Sequence, residues 1–228
     1  MTRQVGPPLA ERLATVRSGV AEAAREAGRS PQELTTIVVT KFHPASLVRE
    51  LHALGVQDVG ESRHQEARQK SAELAPLRLT WHFVGQLQGK KARQVAAYAD
   101  VIHSVDRESL VTALRSDDSV TDCFLQLNLT DDPERGGVDL AGLPTLAELV
   151  LATPGLRLLG VMAIAPLDEE PRRAFARVRT ASEALRTVAP DATAISAGMS
   201  GDYREAILEG ATHLRIGTAI TGNRPIAG

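Results

Sequence analysis

The stretch TTIVVTKFHP, residues 35–44, is a run of β-branched and apolar side chains that ends in a lysine. Such a run reads as a buried strand. An open doubly wound sheet follows its first strand with a glycine-rich turn. Here the strand runs directly into Lys41, and a helical pattern, PASLVRELHALG, comes next. The rest of the chain repeats that unit. Short β-type runs at about 35–40, 56–59, 79–84, 100–105, 122–129, 156–164, 193–197 and 212–216 alternate with helical patterns such as LPTLAELVLA and DYREAILEGA. Strands that alternate with helices make a parallel sheet, and eight such units predict an α/β fold of one (β/α)8 TIM-type barrel. Leu9, Leu13, Val16 and Val20, at helical spacing between Pro7-Pro8 and Gly28, predict an additional N-terminal helix over 9–27. With no linker or low-complexity segment, residues 1–228 read as a single domain.

Composition narrows the function. The 26 basic and 28 acidic residues are mixed along the chain and leave a formal net charge of −2, which argues against a nucleic-acid groove or a membrane-binding patch. A small-molecule partner is expected. No segment approaches the roughly 20 apolar residues that span a bilayer, and the first residues lack the apolar core of a secretory signal, so the expected location is cytoplasmic. Cys123 is the one cysteine, which excludes a disulfide framework and a cysteine-rich metal site; it reads as a buried, inert thiol.

Of the 26 basic residues only Lys41, Lys70, Lys90 and Lys91 are lysines. The last three stand in polar surroundings and read as solvated charge, whereas Lys41 ends an apolar strand. Alternation puts Lys41 on one face with Ile37 and Val39, and Thr36, Val38 and Thr40 on the other. Were its face the barrel interior, a partly desolvated amine at the mouth would be a nucleophile for a carbonyl. A lysine snorkelling to water is the plainer alternative.

The seventh and eighth strands lead into SAGMSGD (196–202) and RIGTAITG (215–222). Both are small-residue turns of the kind that binds phosphate after strands seven and eight of barrels, with Ser200 and Thr218 as hydroxyl donors. Helix capping by Ser200 or Asp202 is the alternative. Arg215 interrupts the eighth strand. Facing inward it needs a partner, for which a cofactor ring nitrogen is suitable because arginine only donates; facing outward it would pair with a helix acid. Amine, phosphate cradle and inward arginine on one mouth are the parts of a pyridoxal phosphate site.

The motifs VVTKFHP, GESRHQE (60–66), WHFVGQLQGKK (81–91), HSVD (103–106), LQLNLTDDPERGGV (125–138), GVMAI (160–164) and SAGMSGDYREAILEGATHLRIGTAITG (196–222) occur in an order that resembles the YggS/PROSC pyridoxal phosphate homeostasis proteins, barrels of fold-type III ancestry related to the N-terminal part of alanine racemase. The resemblance runs over nearly the whole chain. It implies pyridoxal 5'-phosphate, a vitamin B6 cofactor, as a Schiff base on Lys41, with phosphate around Met199, Ser200, Gly217 and Thr218 and Arg215 toward the pyridine nitrogen. It further implies a role in cofactor homeostasis, with apo-enzymes as recipients, no residue assigned a catalytic role, no metal, and a monomer. The family usually has asparagine where Ser62 and Lys90 stand and phenylalanine where Thr221 stands. Two other classes are weighed against this carrier: an amino-acid racemase using the same cofactor, and a cofactor-free Schiff-base aldolase. Tyr98 and Tyr203 read as packing residues on helices, and the loop 131–137 reads as solvated.

Overall fold

The computed structural model describes residues 7–224. Eight strands, β1 (Thr35–Val39), β2 (Asp58–Glu61), β3 (Thr80–Phe83), β4 (Val101–Val105), β5 (Thr121–Gln126), β6 (Leu156–Met162), β7 (Ala194–Ser196) and β8 (His213–Ile216), close into a parallel barrel in which β8 pairs with β1. The helices are α1 (Leu9–Glu26), α2 (Ala45–Ala53), α3 (His64–Glu73), α4 (Ala92–Ala96), α5 (Glu108–Leu114), α6 (Leu143–Leu151), α7 (Pro171–Leu185), α8 (Tyr203–Leu208) and α9 (Thr218–Thr221). The α1 helix buries Leu9, Leu13, Val16 and Val20 and lies against α8 and α9. Its Arg12 Nε donates to the carbonyl of Ile220 at 2.6 Å.

All eight expected strands form, with ends displaced by a few residues. The largest displacement is in β5, where Leu127 bridges to Val138 instead of extending the sheet. Three helices, α3, α5 and the single turn α9, are not among the helical patterns read from the sequence. In α3, HQEARQKSAE, only Ala67 and Lys70 are buried, so no apolar stripe marks it.

The main core lies between sheet and helices and includes Val38, Val59, Phe83, Ile102, Leu125, Val161, Leu214 and Ile216. A separate cluster of Val101, Phe124 and Met162 fills part of the barrel interior. Gly60 identifies the inner face of β1: a side-chain carbon there would come within 3.0 Å of Ile37 Cγ2 and 3.2 Å of Val39 Cγ2. Gly60 is in register with His82, and Ile37 with Arg215. Ile37, Val39, Gly60, His82 and Arg215 therefore share the interior, and Lys41 lies past the end of β1 in the turn that follows it.

Candidate functional site

At the C-terminal end of β1 the Thr40 N–H donates to the carbonyl of Gly60 at 2.9 Å and the Thr40 side chain is fully buried. Lys41 follows and is exposed. The interior-lysine reading expected partial burial; the structure instead leaves Lys41 open in the turn after β1. The Lys41 amine lies 6.0 Å from the Phe42 ring centroid, and the guanidinium groups of Arg63 and Arg224 lie over the same ring at 5.1 and 4.4 Å. The mouth beside Lys41 is thus rich in cations.

Arg215 faces inward and is buried. Its Nη1 donates to Ser196 Oγ at 2.6 Å and its Nη2 to the carbonyl of Ala163 at 2.9 Å. Both acceptors are neutral, and among the described residues no carboxylate is bonded to it. Burial pulls its pKa down to about 10, with Asp202 opposing at a distance. From Ser196 a chain of hydrogen bonds continues through the barrel: Ser196 Oγ to His103 Nδ1 at 2.8 Å, His103 Nε2 to His82 Nδ1 at 2.9 Å, and His82 Nε2 to Asp58 Oδ1 at 3.0 Å. Arginine can only donate and an ionised carboxylate can only accept. With both imidazoles neutral, every link is satisfied by one direction of donation, from Arg215 down to Asp58. Burial first, and then the neighbouring His82, Arg215 and His213, hold His103 well below the usual histidine range, consistent with that neutral state. His213 packs edge-on against Phe124 and is likewise depressed, to about 4, chiefly by burial.

The two small-residue turns meet next to β1. Gly198 has φ of +89°, and a side-chain carbon there would come within 2.7 Å of Ala206 Cβ, so glycine is required at this position. Ser200 Oγ accepts from the Ala219 N–H at 3.2 Å, which ties the first turn to the second and leaves its own O–H free to donate. A side-chain carbon at Gly217 would sit 3.6 Å from Val39 Cβ, which puts this turn beside the strand that carries Lys41. The Met199 N–H is engaged by Asp202 Oδ1 at 2.6 Å and is a spent donor, while Asp202 precedes α8 without bonding any of its N–H groups, so the side chain closes the turn and does not cap the helix. A cavity of about 660 Å³ opens at the mouth, lined in part by Gln126, Asn128, Ile164, Met199 and Asp202.

Other expectations resolve as follows. Lys90 is exposed, whereas Lys70, also read as solvated charge, is 7% exposed: its Nζ bonds Glu61 Oε1 at 2.6 Å and the carbonyl of Thr40 at 2.8 Å. The polar segment around it hides a partner supplied by the strand next door. The rarity of lysine marked all four, but only Lys41 ended an apolar strand, so nothing local set Lys70 apart from Lys90 and Lys91. Cys123 is fully buried, and burial pushes its thiol up to about 12. Tyr98 lies in the turn just after α4, its hydroxyl 3.4 Å from His64 Nδ1, and Tyr203 opens α8 against α1. The loop 131–137 is partly organised, with Asn128 Nδ2 donating to the carbonyl of Asp132 and the Gly137 N–H to Asp106 Oδ2. Thr221 is buried and back-bonds to the carbonyl of Gly217 at 3.1 Å.

Residues 13–225 match the family described as alanine racemase, N-terminal domain. The chain is 42% identical over 223 residues to a pyridoxal phosphate homeostasis protein of Pseudomonas aeruginosa, covering 95% of this chain and 96% of that one. It is 38% identical over 226 residues to one from Escherichia coli, covering 95% and 97%. The chain belongs to this family. Among solved structures, PipY of Synechococcus elongatus with pyridoxal phosphate bound superposes with a TM-score of 0.82 at 36% identity, covering 94% of this chain and all of that one. Alanine racemase from Corynebacterium glutamicum shares the fold at 16% identity and a TM-score of 0.70; the family's barrel covers 62% of that longer chain.

Proposed function

We propose that this chain binds pyridoxal 5'-phosphate as a Schiff base on Lys41 and acts in intracellular cofactor homeostasis, holding the cofactor for apo-enzymes without efficient turnover of its own. The observation that carries the reading is Arg215: a buried guanidinium whose two partners are neutral, on the strand that pairs with β1, the strand that runs out into Lys41. A buried cation without a carboxylate is costly, and a ligand lone pair at the mouth would offset that cost. The donor set fits the group throughout. Lys41 offers an exposed primary amine to an aldehyde. Ser200 and Thr218 offer hydroxyls, and the glycine turns offer backbone N–H groups, to a phosphate. Arg215 offers N–H donors, and no acceptor, to a pyridine nitrogen. The name and the cofactor-bound structure of relatives at about 40% identity support the same reading.

When bound, the cofactor supplies an electrophilic aldehyde and a ring able to withdraw electrons from an attached amino acid. The chain's own residues restrain the second property. Arg215 would donate to the ring nitrogen and so keep a proton off it, and its bonds to Ser196 Oγ and the Ala163 carbonyl hold the guanidinium in place. The racemase alternative needs a base on each face of the substrate. Tyr98 and Tyr203 are packed against His64 and α1, outside the barrel. The aldolase alternative has no use for an inward, unpaired Arg215. All residues of the reading come from one chain, so it requires no second copy.

Borohydride reduction in the presence of pyridoxal phosphate, followed by peptide mapping, tests the assignment: label is expected on Lys41 and absent from Lys41→Ala. Label on Lys70, Lys90 or Lys91 would overturn it. Solvent deuterium exchange at the α-carbon of D- and L-alanine tests the carrier role. Exchange no faster than with free cofactor is expected, and rapid Lys41-dependent exchange would promote the racemase alternative.

A further inference from the structure

The two peptide groups on either side of the Lys41 α-carbon are both held by side chains of α3. On one side the carbonyl of Thr40 accepts from Lys70 Nζ at 2.8 Å. On the other the Phe42 N–H donates to Glu66 Oε2 at 2.9 Å. Glu66 and Lys70 are four residues apart, one turn of helix, and so present themselves on one face. A peptide group is planar, so the Thr40–Lys41 plane turns with φ of Lys41 and the Lys41–Phe42 plane with its ψ. Holding one atom of each plane restrains both angles, and with them the direction in which the Lys41 side chain leaves the backbone. Phe42 itself has φ of +69°, a region that bulky residues avoid, so this turn is one that external contacts must maintain.

Lys70 is anchored in turn. Glu61, 1% exposed, accepts from Lys70 at 2.6 Å and from Thr40 Oγ1 at 2.7 Å, so the clamp rests on a buried ion pair with three members tied together. Burial pushes the Glu61 carboxyl up while Lys70 pulls it down. This arrangement also occupies the second primary amine near the strand end. Lys70 reaches the same residue, Thr40, from the helix side, and both its bonded acceptors lie there.

We propose that Glu66 and Lys70 are positioning residues that aim the Lys41 amine into the mouth, and that engagement of Lys70 by Glu61 and Thr40 leaves Lys41 as the amine that captures an aldehyde. The proposal rests on the reading of Lys41 as the cofactor lysine and deepens it.

Two ligands and one cofactor-free measurement test it. Pyridoxal phosphate reports capture, through the rate of borohydride-trappable label on Lys41. Pyridoxine 5'-phosphate has the same ring and phosphate but an alcohol in place of the aldehyde, and reports the rest of the site. In Glu66→Ala and Lys70→Met, capture is expected to slow by about tenfold to a hundredfold, as misaimed reacting groups do, while affinity for pyridoxine 5'-phosphate stays within about twofold. Without any ligand, hydrogen exchange at the Phe42 amide should quicken by about tenfold or more in Glu66→Ala, because its charged acceptor is gone. Glu66 is partly exposed, so its variant stays informative if Lys70→Met fails to fold. Unchanged capture in Glu66→Ala, or equal losses for both ligands, would overturn the clamp alone. A wild-type protein that does not label at Lys41 would overturn the clamp and the cofactor reading together.

Discussion

Two buried cations stand near the ends of neighbouring strands, and they are treated oppositely. Lys70, in the layer between β2 and α3, meets a carboxylate at 2.6 Å and a carbonyl at 2.8 Å. Arg215, inside the barrel, meets a serine hydroxyl at 2.6 Å and a carbonyl at 2.9 Å, both neutral. A cation with its counter-ion in place is a part of the framework, its own charge compensated even though Glu61 Oε2 has no partner. A cation held among neutral acceptors leaves electrostatic energy uncompensated, and that deficit marks where a ligand's electron pair would be welcome. The contrast separates the scaffold of Lys41 from the site it serves, although both lie within one barrel end.

Stability of the cofactor-free protein is the most direct way to break the contrast. Lys70→Met strands Glu61 without its counter-ion, and breaking a buried pair costs roughly 3–5 kcal/mol. Arg215→Met removes an uncompensated charge along with two hydrogen bonds, so its net cost should be at most about 2 kcal/mol. Urea unfolding of the two variants measures both; equal losses would mean that Arg215 is as much a framework residue as Lys70.

The ligand side sharpens it next. Removing the hydroxyls of Ser200 and Thr218 together, as Ser200→Ala/Thr218→Val, should weaken pyridoxal phosphate on the order of a hundredfold, since each charge-assisted bond is worth roughly 1.5–3 kcal/mol. Unphosphorylated pyridoxal should lose little. Equal losses would reduce the two turns to chain geometry.

The most gradual effect, small at each step, lies in pH. His213 resists protonation down to about 4, against its ordinary 6.5, because it is buried beside Phe124. Between those values the unfolded chain binds a proton that the folded chain refuses, so stability is complete above 6.5 and falls as the pH drops, by about 1.4 kcal/mol per pH unit for one such group. His103 acts in the same direction. Unfolding curves at pH 7, 6 and 5 should show the decline, and His213→Gln should make it shallower. A slope untouched by that substitution would place the acid sensitivity elsewhere.

Which parts were legible follows from the range of the forces involved. The eight strands, the opening helix and the turn glycines are consequences of alternation, helical spacing and local backbone conformation, all readable within a dozen residues. Lys41 was visible because a lysine is out of place at the end of TTIVVT. Lys70, in the polar segment ARQKSAE, carried no such signal, because its burial depends on Glu61 of the adjacent strand. Similarly, α3 has no apolar stripe, because the face it presents to Thr40 and Phe42 carries charges.

The sequence by itself determined the barrel, the amine at the end of its first strand, and the two small-residue turns that close its last strands, because each depends on neighbours along the chain. Only the tertiary structure decided that Ile37, Val39 and Arg215 face inward, since Gly60 across the sheet makes the room. It alone joined His103 to Ser196, 93 positions apart, in a chain of contacts that runs from Arg215 to Asp58. Burial and pairing are properties of what is brought near, and for Lys70 and Arg215 the chain brings near opposite things: a carboxylate to one, only neutral oxygens to the other.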